Sequence, residues 1–136
     1  MPFAGEYISN QEKFDRELLM QWFNQPTFVM MYKRASRYLS EIERELNAAG
    51  LPADLKYMAM VESSLRNVSY SSAGAAGLWQ FMPETARHYG LRVDQYVDER
   101  LDFKKATQAA IAYLKDLHTI FKNWTLVAAA YNRGEN

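Results

Sequence analysis

An all-α fold is predicted by three observations: apolar residues recur at three-and-four spacing, helix start and stop residues fall where those runs begin and end, and no stretch alternates as a strand would. With 136 residues, 49% of them apolar and 24% charged, the chain is long enough for one domain with a real core and too short to expect two.

From Phe28 to Leu46, apolar residues at 28, 31, 32, 35, 39, 42 and 46 form one helical stripe. Lys33, Arg34, Arg37, Glu41 and Arg44 fill the other faces. Pro26 separates this helix from a shorter one over about residues 11–24. Gly50 is a helix stop, and Pro52 suits the first turn of a third helix from about Ala53 to Ser64. "NVSYSSAGAAG", residues 67–77, reads as a loop, and Pro83 then opens a short helix that Gly90 closes. "LRVDQYVDER" is polar and irregular. From Phe103, apolar or small residues recur at 103, 106, 107, 110, 111, 114, 117 and 121, with Asp102 as N-cap. A last helix begins near Trp124 and reaches Tyr131.

Sixteen basic residues offset sixteen acidic ones, which argues against nucleic acid or another polyanion as partner. The absence of cysteine excludes disulfides, thiolate metal sites and cysteine nucleophiles. No apolar run approaches the roughly 18 residues of a membrane span. The opening "MPFAGEYISNQEKFDREL" lacks the basic-then-apolar order of a signal peptide. His88 and His118 have no acid at metal-ligand spacing, "DQYVDER" lacks the calcium-loop pattern, and "SAGAAG" lacks the lysine of a phosphate loop. Both histidines are expected at the surface, and neither metal nor cofactor is expected. Trp124 and Phe81 are assigned to the core.

One residue stands out chemically. In "LKYMAMVESSLRN", Glu62 lies at i+7 from Leu55, on the face that also carries Met58 and Ala59. It falls in the last helical turn, where the negative end of the helix disfavours an anion. Desolvation and dipole repulsion are both expected to raise its pKa, as a general acid requires. A glutamate emerging at a helix end and pairing with Arg66 explains the same position, and position alone does not choose between the two.

Three blocks in order bear on that choice: "ESSLRN" from Glu62, "SSAGAAGLWQFMPETA" from Ser71, and "AAAYNRGEN" from Ala128. Together they resemble the catalytic domain of family 1 lytic transglycosylases, the soluble-lytic-transglycosylase-like and goose-lysozyme-like enzymes that cleave bacterial peptidoglycan. "GLWQFMP" is most similar to the membrane-bound D-type subgroup. The resemblance implies a lysozyme-like helical catalytic domain over residues 51–136, preceded by a helical lead-in over 1–50, with further helices expected beyond Asn136. Trp79 stands where many relatives outside that subgroup have methionine.

The resemblance places Glu62 on the family's catalytic acid and Ser71 on the serine that faces the reacting sugar. Gln80 and Met82 fall on groove-lining positions. Tyr131 falls on the motif tyrosine near the acid, with a hydroxyl suited to bond Glu62 or the substrate's N-acetyl group. The implied partner is the peptidoglycan glycan strand, the implied location is the bacterial envelope, and the implied product is a 1,6-anhydromuramic end. One acid then suffices, because the muramic acid's own C6 hydroxyl replaces the nucleophile or activated water for which ordinary glycosidases need a second carboxylate. Should Glu84, Asp94, Asp98, Glu99, Asp102 or Glu135 position a water, the protein would instead be a lysozyme-type hydrolase. A non-catalytic peptidoglycan-binding module on the same scaffold is the third reading.

Overall fold

The structure is a computed structural model that describes residues 28–63, 66 and 68–134. The helix expected over about residues 11–24 and the Pro26 break lie outside the described residues.

Helix α1 spans Phe28–Ala48, and among its described side chains Ile42 and Leu46, one turn apart, are fully buried. Gly50 adopts φ +76° just beyond it, where a side chain would strain the backbone. The next expected helix is divided. Pro52 is extended rather than helical, Ala53–Leu55 form a 3-10 turn, and α2 runs Lys56–Ser63, with the expected end at Ser64 outside the described residues. The Leu55 N–H reaches the Pro52 carbonyl at 3.2 Å, the tighter i→i+3 closure that precedes the α-helix.

Helix α3, Pro83–His88, begins with proline, whose missing N–H loses nothing in a first turn. A second 3-10 turn, Glu99–Leu101, leads into α4, Phe103–Phe121. The Asp102 carboxylate accepts the Lys105 N–H at 2.9 Å, so the expected cap is present. Helix α4 ends at Lys122, in the left-handed region at φ 53°. Asn123 then caps α5, Trp124–Gly134, by accepting the Thr125 and Leu126 N–H groups. Among the described residues the only pairings outside helices are isolated bridges at Tyr70–Ala76, Ala76–Phe81 and Val93–Asp98, so the fold is all-α as expected.

Helix α4 packs against α5, and α1 packs against α2 and α4. Alanines at 106, 109 and 110 on α4 are buried, small enough to let neighbouring elements approach closely. The core is completed by Leu114 of α4, Val127 and Tyr131 of α5, and Leu78, Trp79 and Phe81 of the loop between α2 and α3. One position of the predicted stripe differs. Phe121, last residue of the α4 stripe, is 41% exposed because the helix runs past the core. Trp124 is half-buried and packs against the core cluster, with its ring stacked 4.1 Å from that of His118. That stacking also half-covers His118, which is not a simple surface histidine, whereas His88 is exposed.

Candidate active site

Glu62 is the penultimate residue of α2 and is half-buried beside fully buried Ala59. The Ser63 hydroxyl donates back to the Ala59 carbonyl at 3.0 Å, and the Ser63 carbonyl accepts the Arg66 N–H at 3.1 Å.

The loop over residues 69–82 is cross-tied at both levels. Ser71 and Ala75 are doubly joined: the Ser71 N–H donates to the Ala75 carbonyl at 2.8 Å, and the Ala75 N–H donates to Ser71 Oγ at 2.9 Å. The Ser71 side chain is exposed, and an accepting hydroxyl still carries its own proton to donate. Ala76 and Phe81 exchange backbone hydrogen bonds at 3.0 and 3.1 Å, closing a second small ring.

Gln80 sits inside that ring, 6% exposed, with its amide nitrogen donating to the Ser69 carbonyl at 3.0 Å and the Gly77 carbonyl at 2.8 Å. Its backbone is left-handed at φ 50°, a conformation that costs about 1–2 kcal/mol for a non-glycine residue. The side-chain bonds to both legs of the loop offset that strain. Met82 is half-buried at the N-cap of α3, with its methyl carbon 3.9 Å from where a Cβ on Gly74 would lie. Ser71, Gln80 and Met82 are thus gathered by one loop.

Tyr131 approaches from α5. It is fully buried, and its hydroxyl donates to the Trp79 carbonyl at 2.8 Å. Its single O–H proton is therefore directed at the loop, and toward any other group the oxygen can act only as acceptor. Its ring lies 5.1 Å from Tyr113 and 6.3 Å from Phe81. Trp79 is fully buried too, with its indole N–H donating to Thr107 Oγ1 of α4 at 3.1 Å. Phe81 is in the core as expected.

A feature not anticipated lies behind the loop. Arg100, only 5% exposed, forks onto Asp98 through Nε at 2.9 Å and Nη2 at 2.8 Å. Its Nη1 reaches the carbonyls of Gly74 at 2.8 Å and Phe81 at 2.9 Å. The "DER" triplet does not point to these carbonyls, which are 19 and 26 residues away. An arginine alternating with acids before an N-cap was the available clue.

Four of the six other acids that might have assisted Glu62 have structural partners. Asp94 accepts from Arg92 Nε and from the Tyr96 and Val97 N–H groups, and these bonds hold its carboxyl down at about 2. The Arg100 guanidinium lowers Asp98, and Lys105, followed by the Arg92 N–H, lowers Glu99. Asp102 caps α4, Glu84 is exposed in the first turn of α3, and Glu135 lies outside the described residues. Among the described residues no three His, Asp or Glu side chains cluster as metal ligands would.

The depressed carboxyls set an acid limit. A group with a lowered folded pKa contributes stability above its unfolded value of about 4, and that stability is lost as pH falls through the folded value. The turn at Asp94–Val97 is therefore expected to hold down to about pH 4 and to loosen between about pH 4 and pH 2. Hydrogen-exchange protection at Tyr96 and Val97 should fall in that window before protection inside α4 does.

The fold and site define a class: a helical, lysozyme-like domain with a glutamate at the end of a short apolar helix and a cross-tied, glycine-laced loop after it. Residues 40–136 match the family described as Transglycosylase SLT domain, and the chain belongs to that family. It is 37% identical over 103 residues to membrane-bound lytic murein transglycosylase D of Escherichia coli K12, covering 75% of this chain and 23% of that protein. It is also 37% identical over 103 residues to peptidoglycan transglycosylase gp16 of Escherichia phage T7, covering 74% of this chain and 8% of that protein. The chain thus spans less than a quarter of either relative's length.

Proposed function

We propose that this chain is a peptidoglycan lytic transglycosylase that uses Glu62 alone as acid and then base. Family membership and the names of the relatives support the substrate and the reaction class. The observation that carries the single-acid reading is that Asp94, Asp98, Glu99 and Asp102 are each held by a cation or by backbone N–H groups of the fold.

In the proposed reaction the Glu62 carboxyl gives its proton to the glycosidic oxygen between N-acetylmuramic acid and N-acetylglucosamine as the C1–O bond breaks. The muramic C6 hydroxyl then attacks C1 and loses its proton to the Glu62 carboxylate. This yields a 1,6-anhydromuramic end, consumes no water and returns Glu62 to its starting state. The substrate's own hydroxyl replaces the second carboxylate of an ordinary glycosidase. Ser71 donates to the sugar from the exposed edge of the loop, while Met82 and the ring around Gln80 shape the groove floor. Tyr131 holds that floor through Trp79 and offers its oxygen as acceptor on the Glu62 side.

Residues 51–136 form the catalytic unit in this reading and residues 1–50 its lead-in. The substrate places the protein in the bacterial envelope. Among the described residues no helix is long and apolar enough to cross a membrane.

Digestion of purified peptidoglycan followed by mass spectrometry tests the reading. Muropeptides one water lighter than hydrolytic products are expected. Reducing ends alone would make the protein a hydrolase, and intact glycan retained on the protein would make it a binding module.

A further inference from the structure

We propose that Arg100, held by Asp98, is a positioning residue that keeps the Ser71-bearing loop in the shape the glycan needs. This rests on the reading of that loop as the substrate-facing one. Two independent features of the structure point to it. The guanidinium ties the two legs of the loop together, one donor group spanning the Gly74 and Phe81 carbonyls. The same residue's backbone lies directly under Gly77, where a Cβ would overlap the Arg100 carbonyl oxygen and come within 2.8 Å of its carbon. The loop is therefore moulded on residue 100 by side chain and main chain together. Asp98 fixes the guanidinium plane by accepting from Nε and Nη2, leaving Nη1 aimed at the loop.

Lysine at this position keeps the charge but cannot both fork onto Asp98 and reach two carbonyls. The test uses Arg100→Lys and the milder Asp98→Asn in the full chain, assayed well below each variant's melting temperature. Hydrogen exchange should quicken at least tenfold at the Ala75 and Phe81 amides and stay unchanged within α4. Turnover of peptidoglycan should fall at least tenfold in Arg100→Lys. In a Ser71→Ala background the same change should cost less than threefold, because the residue it positions is already gone.

Wild-type products report on the proposed reaction separately. The ratio of variant to wild type, for whichever bond is cut, reports on Arg100, and glycan retention replaces turnover if none is cut. Slow loop exchange with unchanged turnover or retention in Arg100→Lys would overturn the proposal. So would equal fold-losses with and without Ser71, since these are what a purely structural role produces.

Discussion

Glu62→Gln is expected to abolish formation of anhydromuropeptides, with turnover reduced at least ~1,000-fold. General acid–base catalysis by one side chain contributes roughly 100- to 10,000-fold, and the upper part of that range applies where one residue serves both steps. Glutamine keeps the size and shape of glutamate but has no acidic proton to deliver to the glycosidic oxygen. Glu62 is only half-buried at the end of α2, so the exchange should leave the thermal unfolding midpoint nearly unchanged. Turnover by quantified muropeptide release and melting by circular dichroism check the two halves. Lost turnover with an intact fold assigns the chemistry to Glu62, whereas retained turnover would remove it from the mechanism.

Gly77→Ala is expected to be the most damaging of the glycine substitutions. Gly77 has φ +81°, a conformation that costs an L-residue about 1–2 kcal/mol. Its added methyl would also strike the Arg100 backbone, and backbone is not a flexible side-chain end that can step aside. Overpacking of this kind costs about 1–3 kcal/mol, so a total of roughly 3 kcal/mol is expected. Gly50→Ala is the control. Gly50 has φ +76° but nothing within 4 Å of its missing Cβ, so only the backbone strain of about 1–2 kcal/mol applies. Denaturant unfolding of the two variants should rank them in that order. Equal losses would mean that the contact at Arg100 relaxes freely.

The parts of this fold that could be read from the sequence are those specified locally. The stripe ending in Ile42 and Leu46, the Asp102 cap and the alanine-rich face of α4 are periodic or short-range signals, and the structure contains them. What could not be read depends on distant partners. Arg100 looked like one more charge in a polar segment because its acceptors, Gly74 and Phe81, belong to another part of the chain. Gln80 was expected on the groove, and nothing in its residue type announces a left-handed backbone with the side chain tied inward. Phe121 follows the helical spacing of α4, but the helix overruns the core there and leaves it exposed. The Tyr131 hydroxyl donates to the Trp79 carbonyl, a partner 52 residues away that no local signal points to. For the candidate site, sequence blocks nominated the residues, while the cross-ties of the loop that carries Ser71, Gln80 and Met82 emerged only in three dimensions.

In the proposed reaction the nucleophile is the substrate's own C6 hydroxyl, and Glu62 needs no second carboxylate. Digesting peptidoglycan in water enriched in heavy oxygen tests it most directly. New muramic ends should carry no heavy oxygen and should be one water lighter than hydrolytic ends. Heavy oxygen at C1 of those ends would show that water attacks, and would contradict the single-acid account.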